Sequence, residues 1–137
     1  MLRRDAKVEL LKRVPLFSEC SKKELGEIAR LADEIDVDAG EVLTSEGASG
    51  REFFVLVDGA ADVLRDGVKV STLGSGDFFG EISLVSDRPR TATVTTTAPG
   101  RLLVVTDRAF RELMRKLPSI QLKVLTALAD RLAADAA

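Results

Sequence analysis

The chain has 137 residues, of which 45% are hydrophobic, so it can form one packed core but is too short for two ordinary domains; we expect a single domain over residues 1–137. Its 20 basic and 22 acidic residues are scattered and give a formal charge of -2, which argues against a nucleic-acid partner. The absence of histidine and the single cysteine, Cys20, argue against zinc, haem and iron–sulfur chemistry and against a catalytic triad.

Residues 1–33 are predicted to form two helices. In the first, Val8, Leu11 and Val14 share one face, and Pro15 ends the helix because the residue before a proline is pushed out of the helical region. The N-terminus contains no uninterrupted apolar stretch, so we expect neither a signal peptide nor a membrane span. These features, with the single cysteine, favour a cytoplasmic protein.

The second helix is predicted from residue 22 to about residue 33, because Ser21 and Glu24 form a capping-box pair. From residue 34 to residue 106, short apolar or β-branched runs separated by glycines predict an antiparallel roll or barrel, and Asp66-Gly67 is a strong hairpin signal. The predicted strands cover residues 34–37, 41–44, 52–58, 60–65, 68–73, 92–97 and 101–106.

Residues 107–133 return to a helical period and are predicted to form two C-terminal helices separated by Leu117-Pro118. Ser119 can cap the last helix. Four leucines of this helix repeat at spacings of three and four, which is typical of a core face or a dimer seam: Leu122, Leu125, Leu128 and Leu132.

Residues 73–94 form an unusual insertion between two predicted strands, with the sequence LGSGDFFGEISLVSDRPRTATV. Residues 81–85 can form about one helical turn, whose first amides lack carbonyl partners and attract an anion. Gly80 lets the backbone approach that anion closely. Arg90 adds a permanently charged fork suited to phosphate, and Glu81 can accept a hydrogen bond from a sugar hydroxyl while helping to orient Arg90. Phosphate together with a sugar hydroxyl indicates a nucleotide.

Two segments of this insertion, FGEISL at residues 79–84 and PRTATV at residues 89–94, form a specific pair. Through them, and through LKRVPLF at residues 11–17, the chain resembles the cyclic nucleotide-binding domain family, which includes protein kinase A regulatory subunits, catabolite activator proteins and cyclic nucleotide-gated channels. The resemblance implies an α+β, mainly β fold. It is an eight-stranded antiparallel β-roll (double-stranded β-helix or jelly roll) flanked by N-terminal helices and two C-terminal helices, with a phosphate-binding cassette at residues 79–92.

The resemblance also implies the role of individual residues. Arg90 would hold the cyclic phosphate and Glu81 the ribose 2′-hydroxyl, while Leu84 would be the apolar hinge of the cassette. The expected ligand-binding set is Gly80, Glu81, Ile82, Ser83, Arg90, Thr91 and Ala92, with the backbone amides of Ser83 and Ala92 completing the anion cradle. The expected base pocket consists of Val63, Leu73 and Arg131.

The resemblance predicts a regulatory sensor, not an enzyme, that needs no cofactor besides its ligand. Cyclic AMP is the preferred ligand, but Thr91 can contact the amine of guanine, which leaves cyclic GMP open. Arg88 is expected to point into solvent. The signal would leave through the C-terminal helices, and the last helix could join a homodimer or an effector protein; we expect no nucleic-acid or membrane partner.

Other functions of such a fold stay open at this stage. The chain could be an interaction or dimerisation module that has lost its ligand, although Glu81 and Arg90 are intact. It could sense another small anionic ligand, or use haem or an iron–sulfur cluster, which the absent histidines and single cysteine oppose. A metal-dependent β-barrel enzyme would normally need histidine ligands.

Overall fold

A computed structural model describes residues 4–86 and 88–136 of the chain. Helices stand at both ends of the sequence and strands between them. The helices are α1 (Arg4–Lys12), α2 (Lys22–Leu31), α3 (Glu81–Ser86), α4 (Asp107–Lys116) and α5 (Pro118–Ala136), with a 3₁₀ turn at Pro15–Phe17. The strands are β1 (Asp33–Val37), β2 (Val42–Thr44), β3 (Glu52–Asp58), β4 (Ala60–Arg65), β5 (Val68–Gly74), β6 (Phe78–Phe79), β7 (Thr93–Thr96) and β8 (Gly100–Thr106).

The eight strands form two four-stranded sheets, with strand orders β1-β8-β3-β6 and β2-β7-β4-β5. Every recorded strand pair is antiparallel, which confirms the predicted β-roll. The predicted hairpin joins β4 to β5, where Asp66 and Gly67 both have positive φ angles, 53° and 77°. The sequence analysis missed β6, because two residues are too few to show a period, and the pairing of Phe79 with Phe54 is long-range.

Strand β3 separates two hydrophobic cores because its side chains alternate between the faces of its sheet. Phe53 and Val55 belong to a core shared with the helices, whereas Phe54 and Leu56 belong to the core between the two sheets. The first core, which we call the helix-side core, joins α1, α2, α4 and α5 to one side of the roll. The second core includes Phe79, which lies two residues before the start of α3.

The helix boundaries confirm some predictions and correct others. The capping box of α2 is present. Oγ of Ser21 accepts a hydrogen bond from the backbone N–H of Glu24 at 3.1 Å, and Oε1 of Glu24 accepts one from the backbone N–H of Ser21 at 2.8 Å. Helix α2 nevertheless ends at Leu31, because β1 already begins at Asp33. Helix α5 begins at Pro118, so Ser119 lies inside the helix and does not cap it; proline is favoured at a first helical position, where its missing N–H is not needed.

The leucine repeat of α5 does not form one buried face. Leu122 and Leu125 are 65% and 61% exposed, whereas Leu128 is 9% exposed and packs inward with Ile120 and Val124. Of the predicted stripe, only Leu128 therefore serves the core, and Leu132 is exposed as well. Along residues 4–86 and 88–136, no helix has the apolar length of a transmembrane segment.

Candidate functional site

A cavity of about 490 Å³ lies between the second sheet, the segment that begins at β6, and α5. Its lining residues are Thr44, Val63, Arg65, Val70, Ser71, Leu73, Phe79, Gly80, Glu81, Ile82, Ser83, Arg90, Thr91, Ala92, Val94 and Arg131. All ten residues predicted for the ligand or its base are among them. The structure thus brings the predicted set together around one space, and contact of these residues with a ligand stays a prediction.

Gly80 and α3 form the rim of this cavity. The predicted helical turn is present as α3, which starts at Glu81 immediately after Gly80, whose φ is +96°. A Cβ at position 80 would lie 2.7 Å from the carbonyl oxygen of Glu52 and 3.0 Å from Nη1 of Arg90, so both the backbone angle and the available space require glycine. The first amides of α3 follow directly, and such amides have no intrahelical acceptors.

The guanidinium of Arg90 lies at the back of the cavity with only 5% of the side chain exposed. Nη1 donates to the carbonyl oxygen of Gly80 at 3.1 Å, and Nη2 donates to that of Glu52 at 2.8 Å. The sequence analysis expected Glu81 to help orient Arg90; in this structure the two side chains are not hydrogen-bonded, and Arg90 is held by these two carbonyls and by Oε1 of Glu52, 3.5 Å from Nη2. Burial lowers the pKa of Arg90, against the opposing effect of the charges of Glu52 and Glu81, but an arginine stays protonated in proteins.

The backbone around Arg90 is equally constrained. Its N–H donates to Ala48 and its carbonyl accepts from the N–H of Gly47, at 2.9 Å and 2.8 Å. A Cβ on Gly50 would lie 2.0 Å from Nε of Arg90, so this loop passes the guanidinium where only a glycine fits. The charge is therefore held by a loop and a strand far from it in sequence, which no local motif could indicate.

Glu81 is fully buried, with 1% of its side chain exposed. Oε1 accepts a hydrogen bond from Nη1 of Arg131, while Oε2 is buried without a hydrogen-bond partner among the described residues. Arg131 also donates to the carbonyl oxygen of Phe78 at 2.6 Å and lies 5.1 Å from the centre of the Phe78 ring. Arg131 was predicted on the base side of the pocket. In this structure it joins α5 to the carboxylate instead.

The remaining predicted residues divide between the cavity and the core. Val63 and Leu73 line the cavity from paired strands β4 and β5. Leu84 is 4% exposed and packs in the helix-side core, away from the cavity. Arg88 is exposed, as predicted.

The sequence analysis missed six lining residues: Thr44, Arg65, Val70, Ser71, Phe79 and Val94. The two-residue period of a strand could have found Arg65, which lies two positions after Val63 on β4. Arg65 donates from Nε to the carbonyl oxygen of Thr91 at 3.2 Å. The cavity wall thus contains three arginines and one carboxylate, a balance that favours an anionic ligand.

Residues 34–117 match the family model described as Cyclic nucleotide-binding domain. The chain belongs to this family. It is 39% identical over 116 residues to the cAMP-dependent protein kinase regulatory subunit of Mycosarcoma maydis, an alignment that covers 78% of the chain and 22% of the relative. The chain spans 22% to 27% of the length of six curated relatives that it matches, all of them described as such regulatory subunits.

Solved structures share the fold of this cyclic nucleotide-binding domain. The regulatory domain of Toxoplasma gondii PKA with cAMP superposes with a TM-score of 0.82 at 22% identity, covering 93% of this chain and 50% of that one. The regulatory subunit of a cAMP-independent protein kinase A from Trypanosoma brucei also gives 0.82, at 20% identity, covering 93% and 46%. These two likenesses concern the fold alone, and the site residues must decide the ligand.

Proposed function

We propose that this domain binds a cyclic nucleotide, cyclic AMP in preference to cyclic GMP, and acts as a regulatory sensor without catalytic activity. One observation supports this most strongly. The buried guanidinium of Arg90 and the unpartnered carboxylate oxygen of Glu81 belong to the same cavity, and that cavity has a volume typical of small-molecule sites.

The phosphate is assigned to the region of Arg90 and α3. A cyclic phosphate carries one negative charge, and a hydrogen bond to a charged group is worth about 1.5–3 kcal/mol. Ser83 and Ala92, whose backbone amides we assign to the phosphate, both line the cavity and are largely buried, at 2% and 9% exposure. An anion here would offset the cost of burying Arg90.

The sugar is assigned to Glu81. Oε2 is buried without a donor, which is costly for a carboxylate oxygen, and a ribose 2′-hydroxyl is a donor of suitable size. Oε1 can stay bound to Arg131 at the same time. The ligand would thus complete a half-satisfied buried group.

The base is assigned to the apolar wall formed by Val63, Leu73 and Val70. Thr91 also lines the cavity, so a contact with the amine of guanine stays open. The phosphate and the ribose are the same in cyclic AMP and cyclic GMP. Those two assignments therefore support the binding of a cyclic nucleotide, but not the preference for cyclic AMP.

The sensor role follows from the position of α5. If the ligand binds more tightly when α5 is held against the cavity, it shifts the population toward that arrangement, and a thorough switch needs a preference of about 5.5 kcal/mol. Leu84 would act as the hinge between α3 and the helix-side core. By analogy with the relatives named as kinase regulatory subunits, the single domain would act in the cytoplasm on a partner protein, with α5 as the docking or dimerisation element.

Calorimetric titration of the domain with cyclic AMP tests the proposal. We expect Arg90→Ala to weaken binding at least about tenfold, or 1.4 kcal/mol, and the exposed Arg88→Ala to leave it unchanged. Because Arg90 is buried and its variant could misfold, 2′-deoxy cyclic AMP is titrated against the unaltered protein, and we expect about tenfold or greater loss from the missing hydroxyl. Full affinity of the deoxy nucleotide, or a loss below about threefold in folded Arg90→Ala, would refute the site.

Two further measurements separate the parts of the proposal. Equal or tighter binding of cyclic GMP would overturn the preference for cyclic AMP while leaving the site intact. Hydrogen exchange in residues 118–133 that does not change on saturation would refute the helix mechanism while leaving binding intact.

A further inference from the structure

A second cavity, of about 610 Å³, lies between α3 and α4. We call it the α4 groove, and its lining residues are Leu84, Arg108, Phe110, Arg111, Met114 and Arg115. It shares no lining residue with the nucleotide cavity. The proposed function makes no use of its charged residues.

The floor of the α4 groove is apolar. Leu84 and Phe110 are 4% and 3% exposed and belong to the helix-side core, against which the half-buried Met114 also packs. This floor is therefore part of the packed core, and methionine at its edge adapts readily to different side chains. A single apolar side chain from outside could be buried on it.

The rim of the α4 groove is cationic. Arg108, Arg111 and Arg115 are spaced three and four residues apart, so they share one face of α4, and all three are exposed. Arg111 donates to Asp107 at 2.8 Å. Within residues 4–86 and 88–136, Arg108 and Arg115 form neither an ion pair nor a hydrogen bond.

The acidic residue in the middle of α4 is engaged by other cations. Glu112 accepts from Lys116 at 3.1 Å and lies 3.8 Å from Arg30 of α2. Glu112 is within one helical turn of Arg108 and Arg115, but its recorded ion pairs are with Arg30 and Lys116, so among the described residues no carboxylate pairs with Arg108 or Arg115. In a chain of formal charge -2, this local concentration of arginine is not a consequence of overall composition.

We propose that the α4 groove binds an acidic segment of a partner protein, which places an apolar side chain on the floor and its carboxylates against Arg108 and Arg115. Arginine is enriched at protein interfaces because its planar fork binds carboxylates in pairs of hydrogen bonds. A concave floor fits an inserted side chain better than a flat membrane surface. Three cations are also few for nucleic acid, which requires a wider basic surface. The proposal does not depend on nucleotide binding.

Fluorescence anisotropy tests the proposal with a fluorescein-labelled peptide of four Glu-Glu-Leu repeats, added to the full chain without nucleotide. We expect saturable binding that Arg108→Glu with Arg115→Glu weakens at least about tenfold, equivalent to 1.4 kcal/mol. The matched control is Lys22→Glu with Lys23→Glu, which makes the same charge change at exposed positions of α2 and should leave affinity within about threefold. Replacing the peptide leucines with serine should also abolish saturable binding.

Several results would overturn the proposal. One is the absence of saturable peptide binding to the unaltered chain, and another is an equal loss of peptide affinity in both double variants. A third is tighter binding to phosphatidylserine vesicles or duplex DNA than to the peptide. If circular dichroism shows that the variant carrying Arg108→Glu and Arg115→Glu does not fold, the variant carrying Arg108→Gln and Arg115→Gln replaces it. An unchanged peptide affinity in the glutamine variant would count against the groove. Calorimetry with cyclic AMP on the same variants keeps this outcome distinct from a failure of the nucleotide site.

Discussion

Removing the cation of Arg131 should destabilise the domain and loosen the end of α5. Arg131→Met keeps the aliphatic part that packs on Phe78 but leaves Glu81 buried with both carboxylate oxygens unpartnered. Breaking a fully buried ion pair in this way costs about 3–5 kcal/mol. Because 35% of the Arg131 side chain is exposed and water can reach the site when α5 moves, we discount this to about 1–2 kcal/mol.

Urea denaturation of the ligand-free protein measures this loss, and hydrogen exchange of residues 129–136 reports the loosening. The control Arg88→Met removes an exposed cation and should be neutral within about 0.5 kcal/mol. In a double-mutant cycle with Glu81→Gln, the second change should cost less than the first, because the buried charge is already gone. Unchanged stability and exchange in Arg131→Met, or strictly additive effects in the cycle, would refute the reasoning.

Three further predictions follow from the packing. Gly50→Ala should lower the affinity for cyclic AMP about tenfold in calorimetry without removing a charge, because the added Cβ would displace Arg90. The control Gly74→Ala has open space around it and should leave the affinity unchanged. Equal affinities of the two variants would contradict the placement of Arg90. In urea denaturation, the exposed pair Leu122→Ser with Leu125→Ser should change the free energy of unfolding by less than about 0.5 kcal/mol per site. The buried Ile120→Ala should lower it by about 2–5 kcal/mol. The reverse order would mean that the buried face of α5 is misassigned. A hydrogen bond from Arg111 and the charges of Arg111 and Arg51 hold the pKa of Asp107 below its usual range, so the stability it adds is present at pH 7 and is lost as the pH falls below about 3.9. Asp107→Asn should therefore be less stable than the unaltered protein at pH 7, and a gap that persists undiminished in acid would contradict this account.

The local parts of the site could be predicted from the sequence. Gly80, Glu81 and the residues around them stand close together along the chain, and the need for free amides and a glycine is visible in that order. The capping box of α2 and the hairpin at Asp66-Gly67 are equally local signals, and the structure confirms both. Such features depend on a few neighbouring residues, so a single sequence contains them.

The parts that could not be predicted depend on residues far apart in the chain. Glu81 and Arg131 are 50 positions apart, and nothing in either neighbourhood indicates that they pair. The carbonyl of Glu52 that holds Arg90 belongs to a strand 38 positions away. Sequence reasoning therefore identified the charged groups and their expected ligand contacts, but not the protein groups that hold them in place.

The core-face alternative for the leucine repeat of the last helix failed for a different reason. Both of its faces carry apolar residues at helical spacing, one through Ile120, Val124 and Leu128 and the other through Leu122 and Leu125. Periodicity reports that a helix has an apolar face, but it cannot choose between two such faces. Only the packing of α5 against α3, α4 and the 3₁₀ turn decides which one is buried.

A crystal structure of the domain with bound cyclic AMP tests the central claim most directly. We expect the phosphate within hydrogen-bonding distance of the Arg90 guanidinium and the amides of Ser83 and Ala92, and the ribose 2′-hydroxyl at Oε2 of Glu81. A cavity that stays empty at saturating nucleotide, or a nucleotide bound elsewhere on the molecule, would contradict the account.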